Sequence, residues 1–341
     1  MKAAVLKAPY KVEIEEQPEP KLRSDEVLIR VKATGICGSD VHAYQGYHPR
    51  RQPPAVLGHE LAGEIVARGD AVNSLKVGDR VTVLPQKKCG SCYPCSQGWA
   101  TNMCDSKTLL GTNKWAGSFA EYIAAPQELV YTIPHELNYE LGALTEPLAV
   151  GIHALNRVCV KSNESVLIVG AGPIGLMCQI AAKKMGVKDI IVADLSDMKL
   201  ETAKILGAST TINNSSENLA SKIEEQYGKK GVDVAIVAAG VPDLITQAFA
   251  VVRKQGRIVL VGQFDNPGVI DIEKSRLKEQ LITGSSTYTE KDFLGAISLL
   301  TANNHNFSSI VSHRIRLEEI GVGIDLLLNN NKSAIKVIVE I

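Results

Sequence analysis

Residues 165–175 read SVLIVGAGPIG, an apolar run that breaks into a glycine-rich turn. The turn fits G-x-G-x-x-G through Gly170, Gly172 and Gly175, and a helix-length segment follows it to about Met185. Strand, turn and helix in that order are the context the motif requires. Gly170 permits the tight turn, Gly172 lets the backbone approach a pyrophosphate, and Gly175 lets the helix pack close to the strand. Pro173 and Ile174 open the helix, whose N-terminus faces the phosphates. Asp194 ends the next apolar run, nineteen residues beyond Gly175. A carboxylate there accepts hydrogen bonds from ribose hydroxyls and repels a 2′-phosphate, which favours NAD over NADP. Lys199 is a candidate flank for the adenosine, although an exposed helical lysine has the same appearance. A plain strand–helix turn is the alternative reading of the glycines.

The same rhythm recurs. Apolar runs at 165–170, 189–194, 210–213, 232–240, 257–262 and 280–285 alternate with helical patterns such as 198–206, 215–227 and 244–252. Continuous apolar runs suit strands buried on both faces of a parallel sheet, and the alternation implies a doubly wound α/β domain. Before residue 150 the chain instead shows short β-type runs, VLIRV at 27–31, GEIV at 63–66 and RVTV at 80–83, broken by Gly, Pro and Asp. From residue 286 the rhythm changes again. A helix candidate at 290–301 leads to SHRIRL at 312–317, a second helix candidate, an NNNK loop at 329–332 and a last strand, KVIVEI, at 336–341. A strand that ends a chain often returns to a sheet begun elsewhere. The expected division is 1–150, 151–285 and 286–341, with 341 residues enough for two domains.

Lys plus Arg and Asp plus Glu both number 37, so net charge is zero. That argues against nucleic acid or an anionic membrane as the partner. No apolar run reaches membrane-spanning length, and the N-terminal residues meet charge too early for a secretory signal. Four of the seven cysteines fall within sixteen residues. That pattern suits metal binding in a reducing compartment, the cytoplasm, more than a disulfide framework.

Those four are Cys89, Cys92, Cys95 and Cys104, spaced C-x2-C-x2-C-x8-C. Four thiolates in one loop can close a tetrahedron around Zn²⁺ with no open position, which makes such a site structural. An iron–sulfur cluster is the alternative reading. A second set is more dispersed: Cys37, His59 with Glu60, and Glu146. A thiolate, an imidazole and one or two carboxylates suit a catalytic Zn²⁺ with an exchangeable position. Their spacing alone proves nothing, because a lone Cys or His is more often core filler.

The segment GHELAGEIVARGDAV, at 58–72, matches the zinc alcohol dehydrogenase signature G-H-E-x2-G-x5-G-x2-V. CGSDVH at 37–42, the cysteine knot and GAGPIG follow the same family's order. Over essentially its whole length the chain resembles zinc-dependent medium-chain dehydrogenases of the polyol branch, such as sorbitol, galactitol, L-threonine and butanediol dehydrogenases. The resemblance implies a Rossmann domain inserted into a GroES-like β-barrel catalytic domain. It implies Cys37 and His59 as direct ligands of the catalytic zinc, and Glu60 and Glu146 as direct or water-mediated ones. It also implies a hydride passed from a secondary alcohol to NAD, with Ser39 hydrogen-bonded to the reacting oxygen and His42 as the outer proton acceptor. Asp40 reads as a structural acceptor. The last gap of the knot is eight residues where most relatives have seven, which puts its local geometry in question.

Substrate signals are thin. Tyr44 and Tyr47 could line a pocket or be loop aromatics. Arg50 and Arg51 could pair with a substrate anion, but solvated charge is the expectation. A sugar alcohol or vicinal diol is therefore favoured, with a sugar acid, polyol phosphate, butanediol or L-threonine as alternatives. A non-enzymatic NAD-binding protein is a further alternative. His153, seven residues after Glu146, would share its helix face; His48, His135, His305 and His313 carry no motif. Cys159 and Cys178 read as buried fillers, and Trp99 and Trp115 as packing at the knot exit. A homodimer or homotetramer is implied by the resemblance, with VIDI at 269–272 either at a sheet edge or in a buried connection.

Overall fold

The apolar runs between 165 and 285 assemble into one six-stranded sheet in the computed structural model, which describes all residues except 265, 303–306 and 330–332. His305 and most of the NNNK loop thus lie outside the described residues. The strands are Ser165–Val169, Asp189–Asp194, Thr210–Asn213, Val232–Val237, Val252–Leu260 and Leu281–Gly284, and every pairing is parallel. Their spatial order is third, second, first, fourth, fifth, sixth. This is the dinucleotide-binding order, with its reversal beside the first strand. Val166, Leu167 and Ile168 are wholly buried in that strand. Helices on the sheet faces account for an apolar run without alternation. The fifth strand starts at Val252, before the RIVLVG run, because Val252 pairs with Val232 ahead of a register shift. The short, charge-rich helix Ile272–Lys278 carried no apolar stripe and was not anticipated.

These strands belong to a compact unit, Pro147–Tyr288; Met1–Glu146 and Thr289–Ile341 form the other. In the latter, a seven-stranded sheet runs Val130–Thr132, Arg80–Val83, Glu60–Arg68, Glu26–Gly35, Lys336–Glu340 and Val311–Arg316, with Tyr122–Pro126 also on Glu26–Gly35. The terminal strand returns to a sheet begun at residue 26, pairing Ile338 with Gly35 and Glu340 with Ala33, antiparallel. Buried aliphatics from Val27, Ile29, Leu61, Ile65, Val81 and Ile123 fill one side of this sheet. That packing fixes the ends of Glu26–Gly35 and Glu60–Arg68, and the candidate ligands stand at those ends.

Candidate active site

Cys37 caps the helix Gly38–Tyr44, and Glu60 opens the strand Glu60–Arg68 directly opposite Gly35. His59 stands between Glu60 and Gly58, whose φ of +91° turns the chain into the strand. One helix start and one strand start therefore converge. A ligand atom from each of Cys37, His59 and Glu60 lies within 4.8 Å of the others. Gly35 makes room for this: a Cβ there would stand 2.0 Å from Glu60 Oε2.

Asp40 ties the two elements together. It is fully buried, and its Oδ2 accepts the Cys37 N–H at 3.0 Å while Oδ1 accepts the Gly58 N–H at 3.3 Å. Oδ1 also stands 3.4 Å from His59 Nδ1. Burial pushes the Asp40 carboxyl up, but His59 and Arg51 outweigh it and hold it at about 2. Burial and the Arg51 charge push the His59 imidazole down, whereas Asp40 and Cys37 push it further up, to about 10. A carboxylate behind a ligating imidazole is the usual way its orientation is fixed.

Glu60 is gripped from the other side. Lys336 Nζ donates to Glu60 Oε1 at 2.8 Å, to Oε2 at 2.7 Å and to the Ile36 carbonyl at 3.0 Å. Burial lowers the Lys336 ammonium, but Glu60 outweighs it, with Cys37 and Glu146 adding, and holds it above its ordinary value. Glu146 is buried and lies outside the 4.8 Å set. The sulfur, nitrogen and oxygen donors that Cys37, His59 and Glu60 bring together match zinc.

The knot closes as well. Cys89, Cys92, Cys95 and Cys104 all bring their sulfurs within 4.8 Å, and none forms a disulfide. Sulfurs at roughly 2.3 Å from zinc stand about 3.8 Å apart in a tetrahedron. Cys92 Sγ and Cys104 Sγ are 3.8 Å apart. The extra residue in the last gap therefore leaves the cluster intact. Backbone N–H groups of Ser91 and Cys92 push the Cys89 thiol down to about 6, while burial pushes Cys95 up to about 11.

In the other unit, Gly170 adopts φ +105° and a Cβ on Gly175 would stand 1.8 Å from the Gly170 carbonyl. A Cβ on Gly172 would meet nothing within 4 Å, so open space lies where a pyrophosphate would approach. Pro173 and Ile174 form the first turn of the helix Pro173–Lys184. Asp194 Oδ2 accepts the Ala171 N–H at 2.7 Å, and Oδ1 accepts those of Leu195 and Ser196. The carboxylate thus locks the glycine turn to the second strand. Lys199 lies in the first turn of the next helix, its ammonium lowered by burial against the pull of Asp194.

Residues 23–135 match the family Alcohol dehydrogenase GroES-like domain, and residues 173–302 match Zinc-binding dehydrogenase. Sorbitol dehydrogenase of Bacillus subtilis (strain 168) is 43% identical over 265 residues, 77% of this chain and 75% of that protein. The chain belongs to the zinc-dependent medium-chain alcohol and polyol dehydrogenases. Among solved structures, 2R,3R-butanediol dehydrogenase from Bacillus subtilis is 32% identical with TM-score 0.91, covering 100% of this chain and 99% of that one. An alcohol dehydrogenase from Escherichia coli CFT073, complexed with the cofactor NADH, is 33% identical with TM-score 0.92 over 100% of this chain and 99% of that one. The architecture is the family's: a Rossmann domain inserted into a GroES-like catalytic domain.

Within this dehydrogenase, several sequence readings change. Arg51 is not solvated: it is 5% exposed and donates to Ser39 Oγ at 3.0 Å and to the Leu110 carbonyl at 3.2 Å. Tyr44 is a core residue, edge-on to Tyr10 and donating to the Tyr10 carbonyl, while Tyr47 is exposed. Cys159 is exposed, because the tight turn at φ +47° that carries it lies on the surface; Cys178 is buried. Trp99 is half-exposed against Tyr93, whereas Trp115 packs on the sheet core and donates to the Ala124 carbonyl. His42 Nδ1 is buried with no hydrogen-bond partner. Glu146 and His153 share the helix Thr145–Arg157. Lys336 was missed, although a lysine opening an otherwise apolar strand was the available signal.

Proposed function

We propose that this dehydrogenase oxidises a secondary alcohol of a polyol or sugar-derived substrate to a ketone, with hydride transfer to NAD. The convergence of Cys37, His59 and Glu60, one sulfur, one nitrogen and one oxygen donor within 4.8 Å of one another, carries the reading. Cys37 and His59, the latter through Nε2, would hold the catalytic zinc, with Glu60 and Glu146 as the carboxylates nearest it. When bound, this zinc supplies Lewis acidity that lowers the pKa of the substrate hydroxyl. Asp40 orients His59. Ser39 Oγ takes the hydroxyl proton, and His42, with its unpartnered Nδ1, passes it outward. Cys89, Cys92, Cys95 and Cys104 would hold a structural zinc that pins their loop.

The glycine turn would receive the pyrophosphate of NAD at Gly172, where the space is open. Asp194 Oδ2 already accepts one bond and keeps capacity for a ribose hydroxyl. Lys199, in the first turn of the helix Asp197–Ile205, would flank the adenosine. Because Arg51 is buried, with Nη1 and Nη2 donating inside the protein, a neutral polyol is favoured over a sugar acid. The test is NADH formation with NAD and a panel of sugar alcohols, sugar acids, polyol phosphates, butanediols and L-threonine, with and without a zinc chelator. Chelator-sensitive turnover of a sugar alcohol or diol is expected. Silence with both NAD and NADP would remove the polyol reading.

The working assembly is a homodimer or homotetramer in the cytoplasm. Leu281–Gly284 is one of the sheet's two edge strands, and exposed apolar side chains lie on it and on the stretch of chain leading to it: Val269, Ile272, Leu277, Leu281 and Ile282. Residues 269–271 form no strand: they are an exposed connection into the helix Ile272–Lys278, with Val269 80% exposed. Unpaired edges flanked by apolar surface favour pairing with a second copy. Leu281→Asp should therefore shift the mass measured by light scattering to that of a monomer; an unchanged mass would place the interface elsewhere. Seven reduced cysteines suit the reducing cytoplasm. Among the described residues, no helix is long and apolar enough to cross a membrane.

A further inference from the structure

We infer that Arg51 is a positioning residue for the oxidation: its buried guanidinium fixes the Ser39 hydroxyl so that it can take the substrate proton on one side and release its own on the other. This rests on the proposed dehydrogenase reaction. Ser39 sits in the first turn of the helix that Cys37 caps, two residues after that ligand, and takes the proton-accepting role proposed above. Arg51 reaches it from the loop before His59, with Nη1 at 3.0 Å.

Two of the three guanidinium nitrogens donate inside the protein. Nη2 donates to the Leu110 carbonyl, and Nε is buried without a partner. His48 stands 3.3 Å from Nη1 through Nε2, but it offers no acceptor there. Its Nδ1 already accepts the Arg50 and Arg51 backbone N–H groups at 3.1 and 3.0 Å, so the ring proton is on Nε2. Burial and the Arg51 charge keep this imidazole neutral, pushed down to about 4. Ser39 Oγ is then the acceptor left for Nη1.

The consequence is geometric. A serine oxygen has two lone pairs and one proton. Arg51 occupies one lone pair and, being a guanidinium, never accepts a proton. One lone pair and one proton remain. The lone pair accepts the proton of the substrate hydroxyl as the carbon-bound hydride passes to NAD, and the serine's own proton leaves toward His42. The products are ketone, NADH and one proton, and Arg51 keeps all of its own protons. Without it, the hydroxyl rotates among unproductive settings.

The experiment is a double-mutant cycle on the zinc-loaded enzyme, with the sugar alcohol or diol that the wild type oxidises best. Arg51→Met should lower kcat by about 10- to 100-fold, the worth of one charge-assisted hydrogen bond, with KM for NAD within about twofold of wild type. The Ser39→Ala/Arg51→Met double variant should be no slower than Ser39→Ala alone within about twofold, because Arg51 acts through Ser39. Additive losses, or a wild-type kcat in Arg51→Met, would overturn the assignment; a merely structural Arg51 lowers the melting temperature and gives additive losses. If Arg51→Met does not fold, Arg51→Lys, which keeps the charge, enters the same cycle under the same criterion. A wild type inactive on every polyol overturns the reaction itself and this role with it, an outcome distinct from an active wild type with additive variants.

Discussion

Replacing Cys37 with alanine should lower polyol oxidation on the order of 10⁴-fold while the protein stays folded. The magnitude follows from what the centre supplies. An alcohol must lose its proton as hydride leaves, and Lewis acidity moves an oxygen's pKa by many units toward neutrality, worth several kcal/mol of barrier. Cys37 is the one sulfur in the set with His59 and Glu60, so its loss removes the softest donor of three. Folding should survive for a structural reason. The Asp40 carboxylate holds the Cys37 backbone N–H and the Gly58 N–H, not the thiol, so the helix start and the strand start remain tied. Metal analysis separates this from general damage. Bound zinc should fall by one equivalent per chain, because the second candidate site is a separate set of four sulfurs. A variant that keeps both equivalents and most of its turnover would move the catalytic centre away from Cys37.

The two units were legible in the sequence to different degrees. In the parallel sheet the central strands are buried on both faces, so SVLIV appears as an unbroken apolar run and VDVAIV as one interrupted only by Asp233. The GAGPIG turn adds steric demands at Gly170 and Gly175 that few other residues can meet. The catalytic unit left weaker traces. Its ligands lie far apart in sequence, and register brings them together: Glu60 opposite Gly35, with Cys37 two residues beyond. No local periodicity encodes that pairing, so the signature at 58–72 and the resemblance it carried had to supply it. Arg51 and Lys336 were harder still. Buried cations are legible only once their partners are known, and those partners, Ser39 and Glu60, are 12 and 276 residues away. An arginine beside another arginine in a Pro-rich loop reads as solvated charge, and nothing local contradicts that.

Lys336→Ala should destabilise the catalytic unit by about 3–5 kcal/mol, because it strands a buried carboxylate. Lys336 is 1% exposed, and its ammonium spends its three donors on the two Glu60 oxygens and the Ile36 carbonyl. Alanine removes all three bonds and leaves Glu60, itself buried, with a charge that water cannot reach. The melting temperature should fall on the order of 10 °C. The loss should be larger in zinc-depleted protein than in loaded protein, since a divalent ion beside Cys37 and His59 offers Glu60 another cation. A second variant separates the pair from the cavity that alanine leaves. Lys336→Met with Glu60→Leu removes both charges at similar volume, and such replacements are often neutral or stabilising. The double variant should therefore recover most of the melting temperature but not the turnover. A loss under about 1 kcal/mol in Lys336→Ala would mean that Glu60 already has another partner, and the buried pair would not be what joins the last strand to the active site. The expected pattern makes the strand Lys336–Glu340 part of the catalytic centre: it delivers the cation that holds the Glu60 carboxylate in place beside Cys37 and His59.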